Sequence, residues 1–434
     1  MLRQGQLPLP KFIVADDFTG ANDVGVGLAA HGIDVSVLLN SAYSSDVAAN
    51  QTTIICTDSR DDSAAHADDK MRQLMQRYPA LTQQKILLKK IDSTLRGNVG
   101  AEIAPWVESC YSVAIMVMCA PNAGRKTIGG ECFVHDQLLT ETEFASDPKS
   151  PVTSARIKTL IESQSHLAVS ELFLDQVRAP ALADTLQARV NLGTKVIVCD
   201  AQTAQDMIEI YQAANQLSTS CVIVTTGEMT QALLPSSAQH QPVQPKLYNQ
   251  QPLLGVVGSM SRITLSQVQY LQTHHRAEVI DVDVKTALFA KNQDYLHSLV
   301  AAISQAHQAG RHCFIRTCQS NDQRHDIETI CAQLTISRPE LGNRVKQFLA
   351  QTTQEVLRQC TPGALLLCGG DIALAVCHQL KIGQFNLKGL SAQCIPWGIL
   401  PYKHASIPLF TKAGGFGVDS SFDQIITILE QEEA

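Results

Sequence analysis

The sequence predicts an α/β protein of two domains, each built on a largely parallel sheet flanked by helices. Three observations carry this. At 434 residues the chain exceeds the size at which a single core usually stops growing. Short apolar runs alternate with segments of helical spacing, the signature of βα units. The alternation lapses once, from Leu234 to Pro252, where a stretch rich in Pro, Ser and Gln intervenes, and then restarts. We therefore expect a first domain over 1–235, a linker over 236–252 and a second domain over 253–434.

The first unit is Phe12-Ile13-Val14-Ala15, a buried strand ending in Asp16-Asp17, then a Thr19-Gly20 turn and a helix bearing Ala21, Val24 and Leu28 that closes at Gly32. The plain alternative makes one Asp a helix cap and leaves the other solvated. Val35 to Leu39 is a second strand. Thr53 to Cys56 is a third, running into Thr57-Asp58-Ser59-Arg60, and a helix from Ala64 to Tyr78 buries Met71, Leu74 and Met75. Ile86 to Leu88 exits into Lys89-Lys90-Ile91-Asp92-Ser93, and Val113 to Cys119 exits into Pro121-Asn122-Ala123-Gly124-Arg125. Further strands are expected near Leu167 to Ser170, Val196 to Cys199 and Cys221 to Thr225.

Crossover helices return each strand in the same direction, so in a parallel sheet all these exits share one edge, where ligands bind. Asp16, Asp17, Arg60, Lys90, Asp92, Ser93, Asn122 and Arg125 would then converge from four places in the chain. Such a set suits a small polyhydroxylated acid: Arg60 grips a carboxylate with two hydrogen bonds, Ser93 and Asn122 read hydroxyls, and a buried Asp accepts a proton. The competing readings are local: Arg60 pairs with Asp58 or Asp61, Lys89 is a solvated flank, and Lys90 and Asp92 neutralise each other. Residues 125 to 150 show little periodicity and are expected to cover the pocket. His135 within them reads as an exposed loop residue.

Beyond the linker, Leu253 to Val257 leads to Gly258-Ser259-Met260-Ser261 and a helix from about Thr264 to Gln272. Ala364 to Cys368 exits into Gly369-Gly370-Asp371 before a helix from Ile372 to Leu380, and Lys412-Ala413-Gly414-Gly415-Phe416-Gly417 follows near the end. Glycine turns leading into helices let backbone amides approach a phosphate, and three in one domain favour a nucleotide. Neither the Walker pattern nor GxGxxG occurs in its required context.

A net charge of -7 argues against nucleic acid as the partner. The thirteen cysteines lie mostly in apolar runs and form no CxxC pair, so zinc and disulfides are not expected. No apolar run reaches the length of a membrane span, and the first residues lack the apolar segment of a signal peptide, so a cytoplasmic protein with no membrane partner is expected.

Taken together, Ala15-Asp16-Asp17-Phe18-Thr19-Gly20-Ala21, Thr57-Asp58-Ser59-Arg60, Lys89 to Gly97, Cys368-Gly369-Gly370-Asp371 and Lys412 to Gly417 resemble the four-carbon acid sugar kinases. That family phosphorylates D-threonate, D-erythronate or 3-oxo-tetronate with ATP. The resemblance implies an amino-terminal domain for the sugar acid, a carboxy-terminal domain for ATP and an active site in the cleft between them. It puts Asp16, Arg60 and Lys90-Ile91-Asp92-Ser93 on the substrate, and Ser259, Gly369, Gly370, Asp371, Ile372, Gly414 and Gly415 on ATP. Ile372 stands where relatives often carry Thr, leaving only backbone contacts there, and Ser259 and Ser261 are both open as the serine contact.

The expected reaction is phosphoryl transfer to the terminal (4-) hydroxyl. Asp92 or Asp17 takes the proton, and Lys90 and Mg²⁺ offset developing charge. The metal ligands are not assigned. An aspartyl-phosphate phosphotransferase is the rival enzyme, although its DxD spacing is absent. A sugar-acid sensor is the rival without catalysis.

Overall fold

The computed structural model describes residues 8–39, 51–147, 150–234, 251–289, 292–320, 323, 326–392, 395–403 and 405–431. The chain divides into two compact units with a sequence boundary between 239 and 240, apart from residues 42–44. Most of the expected linker, residues 236–250, lies outside the described residues.

In the first unit the chain order is β1 (Phe12–Ala15), α1 (Phe18–Ala30), β2 (Val35–Leu38), β3 (Thr52–Cys56), α2 (Ala64–Arg77), β4 (Ile86–Lys90), α3 (Val99–Ser109) and β5 (Val113–Val117). The short strands β6 (Arg125–Ile128), β7 (Glu131–Val134) and β8 (Gln137–Leu138) follow, then α4 (Ile157–Gln164), β9 (Val169–Leu172), α5 (Leu174–Val177), α6 (Leu182–Asn191), β10 (Val196–Cys199), α7 (Ala204–Gln216), β11 (Cys221–Thr225) and α8 (Glu228–Ala232). The strands run β2-β3-β1-β4-β11-β5-β10-β9 across the sheet, all parallel. β1, β3, β4, β5, β10 and β11 are buried throughout, because helices cover both faces; that is why their apolar residues run consecutively instead of alternating with polar ones. α2 packs with α3, and α1 with α8.

Two local expectations change. α1 begins at Phe18 rather than after Gly20, because Asp17 accepts the Gly20 N–H at 2.9 Å and caps the first turn. The strand expected at Leu167 to Ser170 is β9, two residues later. The segment after residue 125 is not featureless: β6, β7 and β8 form a small antiparallel sheet. His135 is exposed there, with a left-handed φ of 46°.

The second unit contains β12 (Leu253–Val257), α9 (Arg262–Thr273), β13 (Glu278–Asp281), α10 (Val284–Leu288), α11 (Asn292–Gln308), β14 (Cys313–Arg316), α12 (Asp326–Leu334), α13 (Arg338–Gln359), β15 (Ala364–Cys368), α14 (Gly370–Gln379), β16 (Gln384–Ala392), β17 (Ile395–Tyr402), β18 (Ala405–Lys412) and α15 (Ser421–Glu430). Strands β13-β14-β12-β15-β18 are parallel neighbours, and β17 and β16 continue the order antiparallel. A second core gathers Phe314, Leu366, Phe410 and Phe422. Among the described helices none is long and apolar enough to cross a membrane.

Candidate active site

β3, β1 and β4 are adjacent and parallel, so the segments leaving them emerge at one edge. Arg60 donates from Nε to Asp16 Oδ2 and from Nη2 to Asp16 Oδ1, each at 2.8 Å, and from Nη2 to Asp17 Oδ1 at 2.6 Å. Its Nη1 lies 3.8 Å from Asp92 Oδ1. The guanidinium therefore serves three carboxylates from two strand exits, rather than its neighbours Asp58 and Asp61. Its two-pronged face is occupied by Asp16, so a ligand carboxylate meets Nη1 or must exchange with Asp16.

Asp16 is 2% exposed. Burial alone would raise its carboxyl, but Arg60 and then Lys90 outweigh burial and hold it below the ordinary range. Burial is likewise overcome at Asp92, which Arg60 and Arg96 hold well below the usual carboxylate value. Asp92 Oδ2 accepts from Arg96 Nε at 2.7 Å and from Thr94 Oγ1, and Oδ1 accepts from Arg96 Nη2 at 3.1 Å. Asp92 is thus neutralised by arginines and not by Lys90. Asp17 is less committed: Oδ1 takes the Gly20 N–H and Arg60, while Oδ2 accepts no hydrogen bond among the described residues.

Alternation along β4 separates its two lysines. Lys90 turns toward α1, with Nζ 3.8 Å from Asp17 Oδ1 and close against Gly20. Lys89 turns to the other face and meets Glu102 of α3 at 2.6 Å, the two side chains being 0% and 1% exposed. The solvated flank considered for Lys89 is therefore wrong: charge was read from the sequence, but strand alternation sends this residue into the interior. Ile91 is buried in the core, so a ligand contact there has to come from its backbone. Ser93 is half-buried beside Asp92. Asn122 is not drawn into this cluster by any contact among the described residues. Its backbone N–H goes to Glu228 Oε2 at 3.0 Å, and it lines a 310 Å³ cavity with His31, Met207 and Gln231.

Four supporting residues carried no assigned role in the sequence reading: Thr94, Arg96, Asn98 and Glu102. Asn98 Nδ2 donates to the Ser59 and Asp62 carbonyls at 3.0 and 2.8 Å and so holds the loop that presents Arg60. Gly97, at φ 93°, lets that loop close: a Cβ there would stand 2.9 Å from Arg60 Cγ. Arg96 also reaches Asp147 at 3.1 Å and lies over the Phe144 ring, which ties the 125–147 segment to Asp92. The i,i+4 spacing of Asp92 and Arg96 was the available signal.

In the second unit, Ser259, Gly369 and Gly414 follow the adjacent parallel strands β12, β15 and β18. Ser259 Oγ sits 2.2 Å from where a Cβ on Gly414 would be, and Ser259 N 4.0 Å from the same point on Gly369. Ser261 caps α9 and is committed to Thr264 and the Gly414 carbonyl. Ser259 Oγ accepts from Ser261 N and lies beside Thr264 Oγ1, each at 3.2 Å. Of the two serines left open, Ser259 is the one whose hydroxyl is not tied to the Gly414 carbonyl. α14 starts at Gly370, Asp371 is exposed, and Ile372 packs on Gly258, so Ile372 can offer only its backbone. The amides of Gly414 and Gly415 donate to no described acceptor.

A family described as "Sugar-binding N-terminal domain" matches residues 12–233, and one described as "Nucleotide-binding C-terminal domain" matches 254–422. The chain is 35% identical over 423 residues to a D-threonate kinase of Salmonella typhimurium, covering 96% of this chain and 98% of that protein. It is 29% identical over 417 residues to a D-erythronate kinase of Heliobacterium modesticaldum, covering 93% of each. A 3-oxo-tetronate kinase of Cupriavidus necator is 25% identical over 432 residues, covering 95% of each. A Haemophilus influenzae crystal structure shares the fold at 19% identity, with a TM-score of 0.75 over 96% of this chain and 100% of that one. These matches run through both units, and the chain belongs to the four-carbon acid sugar kinase family.

Proposed function

We propose that this protein transfers the γ-phosphoryl group of ATP to the terminal hydroxyl of a four-carbon acid sugar, with D-threonate the first candidate among D-threonate, D-erythronate and 3-oxo-tetronate. The identity to a D-threonate kinase, higher than to the D-erythronate and 3-oxo-tetronate kinases compared, supports that order. The observation that carries the reaction class is the pairing, in one chain, of an acid-and-base edge around Arg60 with a set of unpartnered glycine amides at Gly414 and Gly415.

In this reading Lys90, Ser93, Arg60 Nη1 and the Ile91 backbone hold the acid sugar, while Asp16 and Asp92 orient Arg60. Asp17 is the better proton acceptor, because Oδ2 is open whereas both oxygens of Asp92 are bound to Arg96. Ser259, Gly369-Gly370-Asp371-Ile372 and Gly414-Gly415 hold the phosphates. Mg²⁺ would be held mainly by the nucleotide phosphates and waters, so the chain need supply few ligands of its own, and none is assigned. When bound it neutralises charge on the transferring group. An ATP-consumption assay against the three acids and their enantiomers tests the proposal. Turnover with D-threonate well above the others supports it; no turnover with any of them overturns it.

A further inference from the structure

The Gly414 carbonyl is held by three donors. Thr264 Oγ1 reaches it at 2.8 Å and Lys412 Nζ at 3.1 Å, and Ser261 Oγ also donates to it. Lys412 Nζ takes the preceding carbonyl as well, that of Ala413, at 3.0 Å. Lys412 is 2% exposed, and its ammonium lies 5.7 Å from the centre of the Phe422 ring. This charge faces into the protein.

In a trans peptide the C=O and the following N–H point in opposite directions, and the described backbone has no cis bond. Gathering the Ala413 and Gly414 carbonyls onto one buried ammonium therefore turns the Gly414 and Gly415 N–H groups the other way. Neither amide meets an acceptor among the described residues. The position of a Cβ on Gly415 is clear of all atoms within 4 Å. Two adjacent outward amides form an anion-binding concavity.

We propose that Lys412, together with Ser261 and Thr264, is a positioning group that fixes these two peptide planes so that their amides receive a phosphate of the nucleotide. Lys412 acts through the backbone and does not touch the phosphate. The inference rests on reading this unit as the ATP-binding one. It explains why a lysine is buried beneath a glycine turn: an apolar residue there would remove the one donor that the Ala413 and Gly414 carbonyls share.

The test compares dissociation constants for ADP and for adenosine, measured by calorimetry on the full chain. Thr264→Val and Ser261→Ala should each weaken ADP by about tenfold, the scale of a lost hydrogen bond to a charged group. Adenosine binding should be unchanged, and Thr264→Ser should restore ADP affinity. Lys412→Met should weaken ADP further; should it fail to fold, the two hydroxyl variants decide. Equal losses for ADP and adenosine would reduce the cluster to packing and overturn the proposal, as would unchanged ADP affinity in both variants. A wild-type chain that binds neither ligand would instead strike at the ATP reading itself, and the positioning role would fall with it.

Discussion

Arg60 and Asp16, 44 residues apart in the chain, are joined by two parallel hydrogen bonds of 2.8 Å. Both leave adjacent strands of one sheet, and neither is solvated enough for water to replace the other. Asp16→Asn would leave Arg60 a poorer partner at this buried position. Because Asp17 and Asp92 still face Arg60, we expect a loss of roughly 1.5–3 kcal/mol in unfolding free energy, the scale of hydrogen bonds to a charged group. Urea unfolding checks this, and an unchanged midpoint would contradict it.

The same pairing sets an acid limit. Asp16 and Asp92 both titrate lower in the folded chain than their ordinary value of 3.8. Below that pH the unfolded chain binds more protons, so stability from these groups is present above it and lost as pH falls through the folded values. Urea midpoints should hold from neutral pH down to about pH 5 and then decline. Asp92→Asn should decline less steeply than wild type over that acid range; parallel curves would mean that Asp92 contributes nothing.

Asp17 and Asp92 divide the chemistry differently. If Asp17 takes the proton, Asp17→Asn should lower kcat by about 10²–10⁴-fold, the usual contribution of a general base. Asp92→Asn should chiefly raise KM for the acid sugar, because it releases Arg96 and loosens Arg60. Steady-state kinetics with ATP saturating separates the two. A collapse of kcat in Asp92→Asn with Asp17→Asn active would exchange the roles.

The Lys89–Glu102 pair offers a test of burial rather than catalysis. Lys89→Met strands Glu102, and Glu102→Leu strands Lys89, each at a cost of about 3–5 kcal/mol. The double variant should recover most of this, giving a coupling of several kcal/mol, because burial penalises a lone charge far more than none. Thermal or urea unfolding of the four proteins closes the cycle. Additive losses would rule out the pairing.

Gly414 and Gly415 should respond differently to alanine. At Gly414 the new Cβ would meet Ser259 Oγ at 2.2 Å, so stability and ADP binding should both fall. At Gly415 the space is open in the chain alone, so stability should change little while ADP affinity falls, since the methyl occupies the approach to the amide. Calorimetry and thermal unfolding distinguish the two patterns; full ADP affinity in Gly415→Ala would exclude a close phosphate.

Local pattern was enough for much of this. Buried parallel strands have no wet face, so β1, β3, β4 and β15 read as largely apolar runs, and the abrupt polar end of each marked the strand exit where Asp16, Arg60 and Asp92 stand in the first unit and Gly369 in the second. The glycine turns were legible because glycine leaves the backbone amides around it uncovered. What the linear chain left undecided was how charges apportion themselves in three dimensions. That Arg60 spends its fork on Asp16, that Arg96 and not Lys90 neutralises Asp92, and that Lys89 dives to Glu102 all follow from strand order and side-chain alternation. Charge pairing depends on distances of a few ångströms between segments tens of residues apart, and packing sets those distances.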